Sequence, residues 1–529
     1  MNKKRISFAL AAFMTAAVAL SGCQGGGGDT TKSSVDLGDS YPLKGDVELS
    51  YWISSDFYAL AEGGKDGNTP FLQELKKQTG VTVHYQSPPA GQAAEAFNLM
   101  IASGDMPDIV QHGWPGFPGG GPEKAISENN IIVLNDMLDN YAPDFKKYLQ
   151  DNPEIDKMVK TDSGNYYMFP SVREDPKSGA YHGPIIRKDW LDDLGLQEPE
   201  TISEWHNVLT RFKNEKGATA PLSFQTVSIT KGVLIGAFGT KMDIYVDDDG
   251  KVKYGPAEPQ FKDFIVEMKK WYDEGLLDKN LAVVDNATLD SNVLNGRTGL
   301  TIANSASGLK KWSDAMKEKD PKFQLVAIKN PSLEKGKMPK FGFKSAVLNS
   351  AMSSAITSSC KNVEAAARFL NYGYTEKGKL LYNYGVENES YTMVDGKPKY
   401  TDLITNNPEG KSFSDMVPYY FNTAGGPFEI MSSTIDANTP DQVDAMEKWN
   451  QTTEEKYALP PVTPTVDESM KLQSVQKDIS TYTSEMVYKF IMGVEPMENY
   501  DTYLQTLESL GLQTLLEVNQ AAYGRYLER

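Results

Sequence analysis

The first folded part of the chain alternates between the patterns of strands and helices, which constrains the fold more than any other feature. Apolar residues recur at every second position in 47–52 and again in 81–85, the period of half-buried strands. A capping threonine, a proline and a closing glycine mark a helix over 69–80. A second helix over 93–102 leads into a third strand at 109–110. This order predicts a sheet flanked by helices, the α/β class.

The same alternation recurs further along the chain, without an obvious sequence repeat. An extended segment at 166–170 follows a turn, and Thr201 begins a helix with a capping pattern. Residues 247–250 lie between two short alternating segments and predict a hairpin turn. Over the last ~60 residues the apolar side chains step by three and four positions, which predicts a helical C-terminal region. The folded part is long enough for two or three domains.

The N-terminal segment has the pattern of a secretory signal. Three basic residues at positions 3–5 precede an apolar run over 6–20, and small residues lead up to Cys23. The run is too short to cross a hydrocarbon layer of about 30 Å comfortably as a permanent helix. We therefore expect the segment to direct secretion and not to remain as a membrane span.

The end of this segment resembles the bacterial lipobox. Residues 20–23 read Leu-Ser-Gly-Cys, and the resemblance implies a signal peptide over 1–22 and a lipid attached to Cys23. The stretch that follows is rich in glycine, serine and charged residues, which disfavours a packed core. We therefore expect a flexible tether over 23–45.

Charge and cysteine content exclude several classes of function. The formal net charge of −18 argues against nucleic-acid binding, which requires basic patches. Besides Cys23, the sequence has one cysteine, Cys360, so we expect no disulfide in the folded body. Four scattered histidines and a single thiol predict neither a zinc site nor an iron–sulfur cluster. We expect no metal and no cofactor.

Several motifs in collinear order resemble the extracellular solute-binding protein family 1. The resemblance is to the large lipoprotein branch of Gram-positive bacteria, which is related to alginate- and oligosaccharide-binding proteins, and it covers essentially the whole folded chain. The motifs are SGDMPDIV at 103–110, GNYYMFP at 164–170, IRKDWL at 186–191, TISEW at 201–205, GLTIAN at 299–304, YGVE at 384–387, YTMVDG at 391–396, KFIMG at 489–493 and YGRY at 523–526.

The resemblance implies a two-lobed periplasmic-binding-protein-like fold of type II, with strands that cross at a hinge. We expect a first lobe over 46–165 plus about 325–385, and a second over 166–324 plus about 386–529. It also implies a monomer on the extracellular face of the cell membrane, attached through its lipid. Such a protein captures a small-molecule ligand, here an oligosaccharide, and delivers it to the transmembrane subunits of an ABC permease.

Candidate ligand contacts follow from where open α/β sheets bind their ligands, beyond the carboxyl ends of the strands. Aromatic rings suit the apolar C–H faces of sugars, and a few placed polar groups suit the hydroxyls. Core packing is the alternative for each aromatic, and an ion pair between the lobes is the alternative for the arginine. The candidates for stacking are Trp52, Trp114 and Phe238, and those for hydrogen bonding are Arg187, Asn304 and Glu387.

Two departures from the branch bear on metal binding and backbone geometry. Some relatives carry a calcium loop after the helix that begins near Thr201, whereas residues 214–220 here contain one carboxylate. Calcium prefers six to eight oxygen ligands, several of them charged, so we expect no calcium there. Asn388 replaces a glycine of the branch, and asparagine is the next residue best suited to left-handed backbone.

Other functions stay open at this stage. Members of the same class bind peptides or other polar solutes. A lipid-anchored glycoside hydrolase is a different class, and it requires two carboxylates about 5–10 Å apart. Against catalysis, the sequence lacks a Gly-x-Ser-x-Gly elbow, a His-Glu-x-x-His motif and a phosphate-binding loop. A surface adhesin or sensory partner is a third class.

Overall fold

Two β-sheets organise the chain, and each is the centre of one lobe with its own apolar core. The computed structural model describes residues 36–54, 67–411, 413–422, 426–432 and 438–529. The strands of these residues are β1 (Val47–Trp52), β2 (Val81–Gln86), β3 (Ile109–His112), β4 (Phe169–Arg173), β5 (His182–Arg187), β6 (Leu222–Phe224), β7 (Ile244–Val246), β8 (Val252–Tyr254), β9 (Leu300–Asn304), β10 (Leu325–Ala327), β11 (Leu348–Ile356), β12 (Tyr391–Val394), β13 (Lys397–Tyr400) and β14 (Phe428–Ile430).

Helices cover both sheets, which confirms the α/β class. Where the sequence predicts a helix over 69–80, Thr69 accepts a hydrogen bond from the Leu72 N–H and Gly80 ends the helix in left-handed backbone. No described helix is both long and apolar enough to span a membrane. The helices are α1 (Pro70–Thr79), α2 (Ala93–Ser103), α3 (Gly121–Ser127), α4 (Asn135–Tyr141), α5 (Pro143–Asp151), α6 (Pro153–Met158), α7 (Lys188–Asp193), α8 (Ile202–Glu215), α9 (Pro259–Asp273), α10 (Asn286–Leu294), α11 (Lys311–Met316), α12 (Val363–Asn371), α13 (Glu376–Tyr384), α14 (Asp402–Thr405), α15 (Phe413–Tyr420), α16 (Pro440–Trp449), α17 (Val466–Ile491), α18 (Tyr500–Ser509) and α19 (Leu512–Glu528).

The first lobe contains a six-stranded sheet in the order β14-β4-β11-β3-β1-β2. β1 pairs in parallel with β2 and β3, and β4 pairs in parallel with β14, whereas β11 runs antiparallel to both β3 and β4. Five strands therefore point the same way. Their carboxyl ends meet at one edge of the sheet, the edge at which an α/β sheet offers a ligand site.

The second lobe contains a four-stranded sheet in the order β10-β5-β9-β6. β5 is antiparallel to both β9 and β10, and the register pairs His182 with Asn304. β6 is parallel to β9. One edge of this sheet is thus formed by the start of β5 and the carboxyl ends of the other three strands. The chain enters β5 directly from the first sheet, so this edge lies next to the first lobe.

The sheets correct the expected lobe boundaries. β4 and β14 belong to the first sheet, although the expected boundaries put residues after 165 and after 386 in the second lobe. β10 belongs to the second sheet, although residues from about 325 were expected in the first. The crossings therefore run through 174–181, 328–347 and the segment after Ile430. Alternating apolar residues identify a strand but not the sheet that the strand joins. The lobe boundaries expected from the sequence therefore differ from those of the structure.

The structure also shortens the expected tether. Residues 1–35 lie outside the described part of the chain, but 36–45 pack on the first lobe. Leu37 and Leu43 are buried in its core, and the Leu43 N–H donates to the Thr79 carbonyl. The Arg368 guanidinium donates to the Gly38 carbonyl. These two leucines hold the otherwise polar stretch against the lobe, because each buries its apolar side chain in an existing core.

Candidate ligand-binding site

Two crossing segments run side by side between the sheets. The Arg173 N–H, at the end of β4, donates to the Val347 carbonyl, and the Ser345 N–H donates to the Gly179 carbonyl. A Cβ on Gly179 would lie 2.6 Å from the Ser345 oxygen, so only glycine allows this approach. The contacts hold the crossings 174–181 and 328–347 together at the base of the space between the two sheet edges.

The second crossing is also pressed against the second lobe through two glycines. A Cβ on Gly232 would lie 2.5 Å from the Gly342 oxygen, and one on Gly236 would lie 2.0 Å from the Phe341 oxygen. The backbone of residues 341–343 therefore lies in direct contact with the segment 232–236. This contact holds the half-buried Phe343 between the two sheet edges, which we take as the base of the candidate cleft.

Phe343 is the centre of a group of side chains that we call the Phe343 cluster: Phe343, Tyr181, His182, Ser228 and Lys231. Its ring centroid is 5.1 Å from that of Tyr181 and 5.2 Å from that of His182. The Lys231 Nζ lies 5.1 Å from the centre of the Phe343 ring. The buried His182 Nε2 lies 3.3 Å from the Ser228 Oγ. Tyr181 and Lys231 remain half-buried, so the cluster offers ring surface and polar groups together.

Burial sets the protonation states around this cluster. Desolvation, aided by the Lys231 charge, lowers the pKa of His182 to about 3, so its imidazole is neutral at physiological pH. Desolvation also lowers the pKa of Lys231. The pKa of Arg173 is lowered by burial, and Tyr181 acts in the opposite direction.

Trp52 and Trp114 come together, but in the core and not on the cleft wall. Their ring centroids lie 6.0 Å and 5.9 Å from the centroid of the Phe97 ring. Trp52 is 6% exposed and Trp114 is 0% exposed. The expectation that they stack on the ligand is therefore wrong. Both face the helix α2, whose Phe97 ring covers them.

Arg187 lies at the wrong edge of the second sheet for a cleft residue. It ends β5, the strand that begins with His182, and its guanidinium makes a 2.6 Å ion pair with Asp189. The rings of Trp190 and Phe323 enclose it at 4.5 Å and 4.3 Å. All these partners belong to the second lobe. Arg187 is thus neither a ligand contact nor an ion pair between lobes, and it stabilises one lobe only.

Phe238 is a core residue as well. It is 9% exposed and packs against Phe264 of α9 at 5.8 Å. The backbone of the nearby Gly236 lies against Phe341 of the second crossing, as described above.

Asn304 lies at the cleft edge of the second sheet, opposite His182 in the strand register. Its Oδ1 accepts the Ala306 N–H at 2.8 Å and begins a π-helix over Ser305–Lys310, while the residue stays partly exposed. Glu387 is exposed in the turn before β12, where the neighbouring Val386 packs on a separate small apolar cluster. The structure thus brings Asn304 to the Phe343 cluster and leaves Glu387 apart from it.

Sequence reasoning missed Phe343, Tyr181, Lys231 and Arg173. Phe343 lies in the crossing 328–347, which has no periodic pattern and no strand or helix. The available signal was Gly342 beside an aromatic residue, in a stretch that must join two sheets.

No group of three or more His, Cys, Asp or Glu residues in the described ranges is arranged to hold a metal ion.

Comparisons with known proteins agree with this architecture. The family model described as "Bacterial extracellular solute-binding protein" matches residues 60–380. The fructooligosaccharide ABC transporter substrate-binding protein FusA of Streptococcus pneumoniae is 26% identical, over 98% of this chain and 97% of its own. Lipoprotein LipO of Bacillus subtilis is 27% identical, over 66% of this chain and 68% of its own. A crystal structure of the alginate-binding protein AlgQ2 without calcium ion superposes with a TM-score of 0.75 at 25% identity, covering 93% of this chain and 100% of that one. The chain therefore belongs to the bacterial extracellular solute-binding protein family.

Proposed function

We propose that this protein is the lipid-anchored substrate-binding protein of an ABC importer, and that it captures an oligosaccharide between its two lobes. The relatives support the ligand class, because FusA is named for fructooligosaccharide and AlgQ2 for alginate. A third relative, YtcQ of Bacillus subtilis, is named for polygalacturonan and rhamnogalacturonan and is 25% identical over 49% of this chain and 51% of its own.

The observation that carries the proposal is the position of Phe343. Its half-buried ring lies on a crossing segment, between the sheet edge that ends in Arg173 and the edge that begins with His182. A sugar ring stacked on it meets Tyr181 and Lys231 at its rim, and Asn304 is on the neighbouring strand. Apolar area with a few polar groups around it is the usual composition of a small-molecule cleft.

A ligand at this position also explains how closure follows binding. It touches the base of the cleft in the open form, and it gains the contacts of both lobes only when they approach each other. A ligand that makes more contacts in the closed form shifts the population toward that form. The crossings are the segments that absorb the backbone change, as hinges do.

The anchor and the partner belong to the same proposal. Cleavage before Cys23 and lipid on that cysteine would leave residues 24–35 between the membrane anchor and the first packed residues. This anchor would keep the two lobes beside a permease on the extracellular face of the membrane.

Calorimetric titration with a panel of glycans and peptides tests the proposal, using Phe343→Ala and a matched control. Phe323 is also a half-buried phenylalanine beneath a cation, but it lies at the far edge of the second sheet. Loss of ring area over a sugar costs about 1–2 kcal/mol, which weakens Kd about ten-fold. We expect this loss for Phe343→Ala and none for Phe323→Ala.

Three results would contradict the proposal in different ways. Equal affinity in wild type and Phe343→Ala would move the ligand elsewhere. Binding of peptides but not of glycans would change the ligand class. Glycan fragments found by mass spectrometry after incubation with the protein would indicate a hydrolase, which is the alternative from a different class.

A further inference from the structure

We propose that the ligand is an acidic oligosaccharide, one with uronate residues, and that Arg173 and Lys231 bind its carboxylates. This inference rests on the proposed function, because it names the charge of the sugar that occupies the same cleft.

The two cations come from different lobes. Arg173 is the last residue of β4 in the first lobe, and Lys231 ends the short 3₁₀ helix Thr226–Lys231 in the second. Tyr181 lies close enough to Arg173 to affect its pKa. The Tyr181 ring contacts the Phe343 ring, and the Lys231 ammonium lies over that same ring. An aromatic surface is thus flanked by one positive charge from each lobe.

Neither cation has a carboxylate partner among the residues that the structure describes. Several other partly buried cations of this chain do have one, although Lys157 and Lys340 do not. Lys241 pairs with Glu454 at 3.3 Å and Lys379 with Glu429 at 2.7 Å, each lysine side chain being 21% exposed. A chain with a formal charge of −18 has carboxylates in excess, so two partly buried cations without one at the same cleft stand out.

The carboxylates next to Arg173 in sequence are engaged elsewhere. Glu174 accepts hydrogen bonds from the Ser432 N–H at 2.7 Å and from the Ser432 hydroxyl at 2.8 Å. Asp175 accepts the Lys177 N–H at 2.8 Å, in the first crossing. These three hydrogen bonds hold crossing segments in place, so neither carboxylate pairs with the cations of the cleft.

We expect an anion because the charges of Arg173 and Lys231 are partly removed from water and no carboxylate of the described residues pairs with them. Burying a charge costs free energy unless an opposite charge or hydrogen bonds offset it. Here burial lowers the pKa of both cations, and no described ion pair opposes that effect. A guanidinium can bind a carboxylate through two parallel hydrogen bonds, whereas a neutral hydroxyl offsets less of the cost.

The experiment compares matched sugars by calorimetry. Trisaccharides of galacturonate, mannuronate and glucuronate are each titrated against the neutral hexose trisaccharide of the same linkage, at low and high NaCl. We expect at least one uronate trisaccharide to bind about ten-fold or more tightly than its neutral counterpart. We also expect added salt to reduce that difference, since screening weakens interactions between charges.

Variants assign the effect to the two residues. Lys231→Met and Arg173→Gln should each weaken uronate binding about ten-fold and weaken neutral binding by a smaller factor, because the neutral sugar loses contacts but no charge pairing. Lys262→Met is the control, because Lys262 also lies over an aromatic ring, that of Tyr500 at 5.0 Å, on α9 in the second lobe. The salt dependence of the wild type keeps the test valid if a variant fails to fold.

The outcomes separate the two proposals. Neutral trisaccharides that bind as tightly as the uronates, or more tightly, overturn the acidic ligand and leave an oligosaccharide-binding protein. Uronate preference that persists in both variants overturns the role of Arg173 and Lys231. Binding of no glycan at all overturns the proposed function together with the inference.

Discussion

Arg529 and Asp162 connect the last helix of the second lobe to the first lobe. The Arg529 Nε lies 2.9 Å from an Asp162 carboxylate oxygen, and its Nη1 donates to the carbonyls of Lys157 and Lys160 at 2.8 Å and 2.7 Å. The Arg529 side chain is 3% exposed. Because α17 and α19 pack on each other and contribute to the second core, this buried ion pair links the lobes in addition to the crossings.

Replacing Arg529 should therefore destabilise the protein far more than replacing a surface arginine. Removing one partner of a buried ion pair costs about 3–5 kcal/mol, because the other charge stays buried. Arg525 still contacts Asp162, so we expect Arg529→Met to lie at the lower end of that range. Urea denaturation measures the change.

Arg211→Met is the control for this prediction. Arg211 pairs with Glu215 on the surface of α8, where both side chains are more than a third exposed. Exposed pairs contribute about 0–1 kcal/mol. Equal losses of stability in the two variants would show that the Arg529 pair has no special role.

The buried His182 and the half-buried His112 predict a loss of stability in mild acid. Burial lowers the pKa of His112 to about 4, and burial together with Lys231 lowers that of His182 to about 3. Unfolded histidine has a pKa of about 6.5. Below that pH the unfolded state binds protons that the folded state does not. Each histidine then reduces the free energy of unfolding by about 1.4 kcal/mol per pH unit.

Urea denaturation between pH 7 and pH 5 measures this slope. His182→Gln and His112→Gln should each show a shallower decline than wild type. The exposed His84, replaced by glutamine, serves as the control and should leave the slope unchanged. A wild-type slope that neither the His182 nor the His112 variant changes would contradict the assignment.

Gly236 should not tolerate alanine, because the added Cβ would lie 2.0 Å from the Phe341 oxygen. Relieving the overlap requires the second crossing to shift, at a cost of about 1–3 kcal/mol. Since that crossing carries Phe343, glycan affinity should fall as well. Gly524→Ala is the control, because its Cβ would meet no atom within 4 Å in the helix α19. We expect that variant to be as stable as wild type or slightly more stable, and thermal unfolding with calorimetry checks both.

Calcium should not stabilise this protein. In the loop 214–220 the single carboxylate, Glu215, already pairs with Arg211, and the remaining oxygens are too few for a hard divalent cation. A ligand that binds the folded state raises the melting temperature. We expect equal melting temperatures in CaCl2 and in NaCl of matched ionic strength, and a clear rise with calcium alone would contradict this.

Cys23→Ala tests the anchor separately from ligand binding. Without the acylated cysteine the protein should be found in the medium, with glycan affinity intact and uptake impaired. Cell fractionation, calorimetry and uptake of labelled glycan measure the three properties. Normal uptake by cells that release the protein would show that the anchor is dispensable.

Local structure was predictable wherever neighbouring residues in the sequence decide it. Thr201 and Glu204 form the reciprocal cap that begins α8, and the hairpin of β7 and β8 turns at 247–250. Asn388 adopts left-handed backbone, with φ 64°. In each case the hydrogen bonds or the turn geometry involve residues no more than a few positions apart.

The candidate site was predictable only in part, because contacts between distant residues decide it. Asn304 lies at the edge of the second sheet that faces the first lobe, whereas Arg187 lies at the opposite edge of the same sheet. The direction of β5 relative to β9 makes that difference, and no local pattern encodes the direction. Likewise, Trp52 is a core residue because Phe97, 45 positions away, covers it.

The sequence by itself determined the α/β class, the ends of several helices and the family. These follow from periodicity, capping and motifs, which are properties of neighbouring residues. Only the tertiary structure decided which residues form the candidate ligand surface. Phe343 reaches the base of the cleft because Gly232 and Gly236, more than 100 residues earlier, let two backbones touch. Close packing between distant segments is what brings the Phe343 cluster together.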